Sequence, residues 1–121
     1  MHESGENYLE TILILKQAHS KVRSIDIAKK LNYAKPSISR AVSILKKNKL
    51  ITVNGDGSID FTPEGEKKAN EIYDRHCQIA EFLMKTLGLD SDTAHADSCR
   101  IEHIISQETF SKIKKYLNEH K

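Results

Sequence analysis

The sequence of 121 residues predicts a mainly α-helical protein in which a winged helix-turn-helix is followed by a second, purely helical region. Two observations lead to this fold class. Apolar residues recur at helical spacing along most of the chain. The exception is LITVNGDGSIDFT, at 50–62, whose two short runs flank an Asn-Gly-Asp-Gly turn and predict a β-hairpin. The length allows one domain, or a compact domain with an appendage.

Three helices are predicted before the hairpin. In ENYLETILILKQA the apolar residues follow the helical repeat. Ser24 is a suitable N-cap for a second helix, SIDIAKKL. After a short turn, KPSISRAVSILKK has Pro36 in the first turn of a third helix. The inward-facing residues of the second and third helices would be Ile25, Ala28, Leu31, Ile38, Val42 and Leu45.

Three more helices are predicted after the hairpin. Thr62 and Pro63 suit the N-cap and the first position of a long helix that Gly88 would end. The next helix, capped by Asp90 or Ser91, is predicted to continue through DSDTAHADSCRIEHII. The last helix is predicted over SQETFSKIKKYLNEHK. Its inward-facing residues would be Phe110, Ile113 and Leu117.

The charge distribution divides the chain in two. Between Lys21 and Lys49 there are nine basic residues and one acid, Asp26, whereas from Phe61 onward eleven acidic residues outnumber nine basic ones. The formal net charge of +2 hides this asymmetry. Any polyanion-binding surface is therefore expected in the first half of the chain. The predicted domains are residues 1–61 and 62–121.

Composition excludes several classes of protein. Hydrophobic residues make up 38% and charged residues 30%, and no apolar run approaches the roughly 20 residues that span a membrane. The acidic, polar start MHESGENYLE argues against a secretory signal. Two cysteines in such a chain predict a reduced, cytoplasmic setting. No H-E-x-x-H pair is present, and we expect no enzymatic activity.

The order helix, turn, helix, hairpin is that of a winged helix-turn-helix, whose second helix enters the major groove of DNA. Hydroxyl groups and lysines at this helix can contact phosphates, and the guanidinium of Arg40 can address a guanine edge or a phosphate. The alternative is a helical hairpin with a solvated lysine face. The predicted DNA-binding residues are Lys35, Pro36, Ser37, Ser39, Arg40, Lys46 and Lys47.

The stretch HADSCRIEHIIS carries four side chains that can bind a metal ion. On a continuous helix His95, Cys99, Glu102 and His103 would share one face. Mixed nitrogen, sulfur and oxygen donors suit a divalent transition ion. One helix rarely completes a coordination sphere, so further donors are expected from His76, Asn7 and Glu10. Taken singly, each of these residues has an ordinary explanation as core filler, cap or surface polar group.

Together these residues resemble a family of metal-dependent repressors typified by the diphtheria toxin repressor and the manganese transport regulator. The similarity runs through ENYLETI, KPSISRAV, TPEGEKKANEIYDRH, GLD and HADSCRIEHIIS. It implies a winged helix-turn-helix DNA-binding domain followed by an α-helical metal-binding and dimerisation domain. It also implies one metal position with Cys99, Glu102, His103 and a donor from Asn7 or Glu10, and an ancillary position with His76 and His95.

Departures from the family pattern affect the choice of metal. Asn7 stands where iron regulators have methionine and manganese regulators have aspartate. Glu10 matches the manganese branch, while Cys99 and His95 match the iron branch. Ala80 replaces an ancillary-site glutamate, and the adjacent Glu81 would lie off that face. The resemblance is expected to be to the short form of the family, without the C-terminal barrel domain of the longer relatives. We expect ferrous iron, with manganese next, and zinc or cobalt in vitro.

The resemblance implies a homodimeric repressor of metal-uptake genes, bound to operator DNA when its metal corepressor is present. Three rival hypotheses stay open on the residues alone: a metal-independent winged-helix regulator that senses a small ligand or redox state through Cys99, a metalloenzyme, and a purely structural dimerisation module. The apolar residues expected at the dimer interface are Phe82, Leu83, Leu87, Ile104 and Ile105.

Overall fold

The structure, a computed structural model, describes the backbone of residues 3–121 and the side chains of residues 5–121. The described chain has six helices and one two-stranded antiparallel sheet, as the sequence predicts. The elements are α1 (Glu3–Ala18), α2 (Ser24–Leu31), α3 (Lys35–Lys47), β1 (Ile51–Val53), β2 (Ile59–Phe61), α4 (Pro63–Leu87), α5 (Ser91–Ile101) and α6 (Gln107–Glu119). The chain divides into two compact units, and the boundary lies within α4. The first unit extends through Asn70 and the second covers Glu71–Lys121.

The first unit is the predicted winged helix-turn-helix. Helix α2 packs against α1 and α3, and α3 contacts β1. The strands pair in the register Ile51 with Phe61 and Val53 with Ile59. The wing is also joined to the loop before α2, because the Ile59 amide donates to the Val22 carbonyl at 2.7 Å. The largest fully buried side chains of this unit are Leu9, Ile12, Val22, Ile27, Ile38, Ile51 and Ile59.

Two predictions about α2 are wrong. The N-cap is Arg23, whose amide donates to the Asp26 carboxylate at 2.8 Å, and Ser24 is the first helical residue. The buried face carries Ile27 and Ala28, while Ile25 is 40% exposed. Apolar residues in this eight-residue helix fit more than one face, and packing against α1 and α3 decides which face is buried.

Helix α4 begins and ends where its signals predict. The Thr62 hydroxyl accepts a hydrogen bond from the Gly65 amide at 3.0 Å and donates one to the Lys49 carbonyl at 2.7 Å, and Pro63 is the first helical residue. Gly88 follows the last residue with a φ of 69°, a left-handed conformation that glycine adopts without strain.

The second unit consists of the larger part of α4 with α5 and α6. Asp90 caps α5 by accepting from the Thr93 amide at 2.7 Å, and Ser106 caps α6 in the same way at 3.1 Å. The core of this unit contains Ile79, Phe110, Ile113 and Leu117, with Phe82, Leu83, Ile101 and Ile105 packed against it. The three predicted inward-facing residues of α6 are therefore confirmed.

Helix α5 is shorter than predicted. It ends at Ile101, Glu102 is its C-cap, and His103 and Ile104 lie in the turn that follows. The single helical face expected to carry all four metal-binding side chains is therefore wrong for His103, which lies beyond the last helical residue. The Ile104 and Ile105 amides both donate to the Ile101 carbonyl, at 3.1 and 3.0 Å, which closes the end of the helix.

Among residues 3–121, no helix combines the length and the apolar composition that a bilayer crossing needs.

Candidate metal centre and DNA interface

Helix α3 presents a basic, hydroxyl-rich surface to solvent. It begins after Ala34, and its apolar side is buried through Ile38, Val42 and Leu45, which turns the remaining positions outward. All seven predicted DNA-binding side chains are exposed, namely Lys35, Pro36, Ser37, Ser39, Arg40, Lys46 and Lys47. Their side chains are thus free of any role in the core and available to a large anionic partner.

The wing tip is held by a network of charged hydrogen bonds. The Asp56 carboxylate accepts from the Ser58 amide and hydroxyl, at 2.9 and 2.6 Å, and from Lys21 at 3.0 Å. Asp60 accepts from Lys16 and from the Asn54 amide, both at 2.8 Å. The hydrogen bonds from Ser58 hold the pKa of the Asp56 carboxyl well below its usual range, and the bond from Lys16 lowers the pKa of Asp60.

Acidification is expected to loosen the wing. Because both pKa values are lower in the folded chain, these carboxylates stabilise the fold above their unfolded pKa near ~4, and the stabilisation is lost as pH falls through the folded values. As the pH is lowered from 6 to 2, the melting temperature should therefore fall less steeply for Asp56→Asn than for the native chain. Asp92→Asn, at an exposed position, is the control, and parallel curves for native and Asp56→Asn would contradict the prediction.

The second unit concentrates metal-binding groups between α4 and the end of α5. Glu102 is fully buried, and its Oε2 lies 2.9 Å from Nδ1 of His76. The other ring nitrogen of His76, Nε2, lies 2.9 Å from Nδ1 of His95. The second carboxylate oxygen, Oε1, lies 3.1 Å from Nε2 of His103, whose imidazole is 3% exposed. One carboxylate and three imidazoles therefore form a continuous polar cluster, the buried cluster, within this unit.

The remaining predicted ligands belong to α5 and to α1. Cys99 is half-buried on α5, one helical turn before Glu102 and His103. Asn7 and Glu10 belong to α1 in the first unit, where Asn7 is half-buried and Glu10 is 4% exposed. The family pattern assigns His76 and Glu102 to different metal positions, yet the two side chains are in direct contact.

Ala80 stands where the family pattern has a glutamate of the ancillary metal position. Ala80 is fully buried, and the neighbouring Glu81 is exposed and pairs with Lys85 at 3.3 Å along the same helix. The Glu81 carboxylate is thus engaged on the solvent side of α4, as its rotation by one position predicts. This turn of α4 therefore contributes no carboxylate to the buried cluster.

Two supporting residues were not identified from the sequence. Ser98, fully buried, donates its hydroxyl to the His76 carbonyl at 2.6 Å, and Arg75 donates Nη1–H to the Glu102 carbonyl at 2.9 Å. The only signal in the sequence was position: Arg75 precedes His76, and Ser98 lies one helical turn before Glu102.

The donor chemistry of the buried cluster fits a divalent transition ion. Imidazole nitrogens and a carboxylate, with a thiol close in sequence, are ligands for iron, manganese, cobalt and zinc, whereas calcium and magnesium prefer sites made entirely of oxygen. Burying the Glu102 carboxylate and the His103 imidazole is costly, and a bound cation would offset that cost. A winged helix-turn-helix followed by a helical unit with a candidate metal site is typical of one class of protein: metal-responsive DNA-binding regulators.

Comparison with known proteins identifies the family within that class. Residues 1–59 match the family model described as the N-terminal DNA-binding domain of iron-dependent repressors, and residues 62–121 match the model for their metal-binding and dimerisation domain. The chain belongs to the iron-dependent repressor family. It is thus a metal-dependent, DNA-binding transcriptional repressor, and the rival hypothesis of a metal-independent regulator is disfavoured.

Individual relatives agree with this assignment. The chain is 30% identical over 122 residues to an uncharacterised helix-turn-helix transcriptional regulator of Methanocaldococcus jannaschii, covering 100% of this chain and 98% of that one. It is 29% identical to the diphtheria toxin repressor of Corynebacterium diphtheriae over 97% of this chain and 52% of the repressor, and so spans about half of it. The structure of the manganese regulator SloR is similar with a TM-score of 0.82 and 28% identity, over 94% of this chain and 53% of that one.

Proposed function

We propose that this chain represses metal-uptake genes as a homodimer, with ferrous iron or manganese as the corepressor that activates it for DNA binding. The observation that carries the proposal is the buried cluster of His76, His95, Glu102 and His103, which lies in the region matched by the metal-binding family model. A bound ion would supply the positive charge that stabilises these convergent donors.

The proposed ligands follow the family pattern residue by residue. Cys99, Glu102 and His103 would hold one ion together with an oxygen donor from Asn7 or Glu10 of α1. His76 and His95 would serve the ancillary position. The contact of His76 with both Glu102 and His95 supports a close relation between the two positions, because an ion held by either pair of side chains would alter the hydrogen bonds of the other.

Iron is the favoured corepressor, with manganese next. The soft sulfur of Cys99 and three imidazoles favour iron, cobalt or zinc over manganese. Glu10 adds a hard oxygen donor, which manganese accepts well. The intracellular supply of each ion also contributes to the choice, since affinity alone follows the general order of divalent metals. The proposed role on genomic DNA places the protein in the cytoplasm.

The proposed switch acts on the DNA-binding units of the dimer. Donors from α1 would couple metal binding to the winged helix-turn-helix, shifting the population toward a spacing of two α3 helices that matches half-sites ~34–36 Å apart. Coupling of this kind typically amounts to ~1–3 kcal/mol, or roughly 5- to 150-fold in affinity. Arg40 would contact a guanine edge or a phosphate, and the lysines and hydroxyls of α3 would hold the phosphate backbone.

The test measures DNA binding as a function of metal. Fluorescence anisotropy of labelled DNA from the upstream region of the chain's own gene would be recorded anaerobically in chelator, and then at controlled free ferrous iron, manganese or zinc. Native protein is expected to bind roughly 5- to 150-fold more tightly with its metal. Glu102→Gln should lose this gain, because an amide replaces the buried carboxylate at the centre of the cluster.

Glu108→Gln is the matched control, since it makes the same chemical change at an exposed position in the first turn of α6. It should respond to metal like the native chain. Tight binding in chelator that neither metal nor Glu102→Gln alters would contradict the metal switch. The ranking of ions in the native chain would decide between iron and manganese.

A further inference from the structure

Helix α4 holds the main chain at the end of α5 through Arg75. Its Nη1–H donates to the Glu102 carbonyl at 2.9 Å, and the guanidinium carbon lies 5.8 Å from the centroid of the Phe110 ring. Glu102 is the C-cap of α5, and the last carbonyls of a helix have no partner within it. The guanidinium therefore supplies a donor that the helix lacks, at the residue that provides the buried carboxylate.

A second link lies one turn earlier on α5. The hydroxyl of Ser98, fully buried, donates to the His76 carbonyl at 2.6 Å. Each link joins a side chain of one helix to a main-chain carbonyl of the other segment. The two carbonyls belong to Glu102 and His76, whose side chains also meet. Each of these two residues is thus held at its backbone by a donor from the opposite helix.

We propose that Arg75 and Ser98 are positioning residues of the metal centre, which present Glu102 to His76 before any ion binds. The inference rests on the proposed metal site in the second unit. A carboxylate that is already oriented loses less freedom when it binds an ion, so the two links raise metal affinity without contacting the ion themselves. Neither link depends on the charge state of the cluster, because both acceptors are main-chain carbonyls.

The contact of the guanidinium with the Phe110 ring adds a reason for arginine at position 75. A planar guanidinium can donate to a carbonyl and lie over an aromatic ring at the same time, whereas an ammonium group makes only a point contact. Phe110 belongs to the core of this unit. The Arg75 side chain is therefore supported from α6 while it holds the turn that contains Glu102 and His103.

The test is a Co²⁺ titration of the full chain in competition with a chelating dye, for the native protein, Arg75→Ala, Arg75→Lys and Ser98→Ala. We expect the Co²⁺ dissociation constant to rise about 10- to 100-fold in Arg75→Ala and about tenfold in Ser98→Ala. Arg75→Lys should fall between native and Arg75→Ala, because it keeps a donor. Arg100→Ala, at an exposed position of α5, should match the native value.

Two further measurements separate positioning from simple loss of stability. The visible absorption bands of bound Co²⁺ should keep their positions in all variants, because no ligand is removed. DNA affinity at saturating Co²⁺ should stay within about threefold of native. Thermal unfolding of each variant would also be recorded in chelator. Variants that have lower melting temperatures but native Co²⁺ dissociation constants would contradict the proposal.

The outcomes also distinguish this proposal from the proposed function. If native protein binds Co²⁺ and the three variants bind it equally well, the positioning role is wrong and the metal site stands. If native protein binds no Co²⁺, the metal site and the positioning role both fall. If Arg75→Ala does not fold, the test uses the two milder variants, Ser98→Ala and Arg75→Lys. Ser98→Ala removes only a single oxygen atom.

Discussion

Replacement of His76 with alanine is expected to raise the dissociation constant for the metal corepressor by about 100-fold or more. Loss of a residue that only supports a ligand typically costs 10- to 100-fold, and His76 contacts both Glu102 and His95 directly. Its removal would delete a nitrogen donor and leave the Glu102 carboxylate without one of its hydrogen bonds. Metal-stimulated DNA binding should disappear with it at physiological ion concentrations.

The measurement is the same Co²⁺ competition titration, with DNA anisotropy in ferrous iron or manganese as the functional counterpart. His120→Ala is the control, because His120 is an exposed histidine near the C-terminus that stacks on Tyr116 with ring centroids 4.0 Å apart. It should bind metal like the native chain. A native dissociation constant in His76→Ala would mean that the cluster built around His76 is not where the metal binds.

Replacement of Gly65 with alanine is expected to destabilise the first unit by about 3 kcal/mol. Gly65 lies in the first turn of α4, packed against the main chain just before β1, and an added Cβ would overlap the Leu50 carbonyl oxygen and lie 2.7 Å from the carbonyl carbon. A backbone carbonyl cannot rotate away as a side chain can. It also accepts a hydrogen bond from the Thr62 amide at 3.1 Å, so a shift would disturb the cap of α4 as well.

Thermal unfolding in chelator tests this prediction. A cost of that size should lower the melting temperature by about 10 °C or more. Gly55→Ala is a matched control, because an added Cβ in the wing turn meets nothing within 4 Å. That variant should unfold within a few degrees of native. Equal melting temperatures for the two alanine variants would show that α4 can move away from Leu50 at little cost.

Local signals in the sequence were sufficient for most of the secondary structure. Thr62, Pro63 and Gly88 mark the bounds of α4, and Asp90 and Ser106 cap the two helices that follow. These signals act within one turn of the chain, so neighbouring residues determine them. The errors occur where a helix is short or ends without a glycine: α2 begins one residue from its expected cap, and α5 stops at Ile101.

The donors of the candidate metal centre and the basic residues of α3 could be proposed from the sequence. Helical spacing indicated that His95, Cys99 and Glu102 share a face, since residues three and four apart are neighbours on any helix. The exposure of the proposed DNA-binding side chains followed from the same reasoning, because Ile38, Val42 and Leu45 occupy the buried side of α3 and leave its polar positions exposed.

Only the tertiary structure decided how these donors meet. His76 lies 26 residues before Glu102, and no periodicity within α4 or α5 specifies that Nδ1 of one faces Oε2 of the other at 2.9 Å. The same is true of Arg75 and Ser98, whose hydrogen bonds cross between helices. Helical spacing determines which side chains share a face. Which faces pack together depends on how the apolar core formed by α4, α5 and α6 closes, and that arrangement brings the carboxylate and the imidazoles into one cluster.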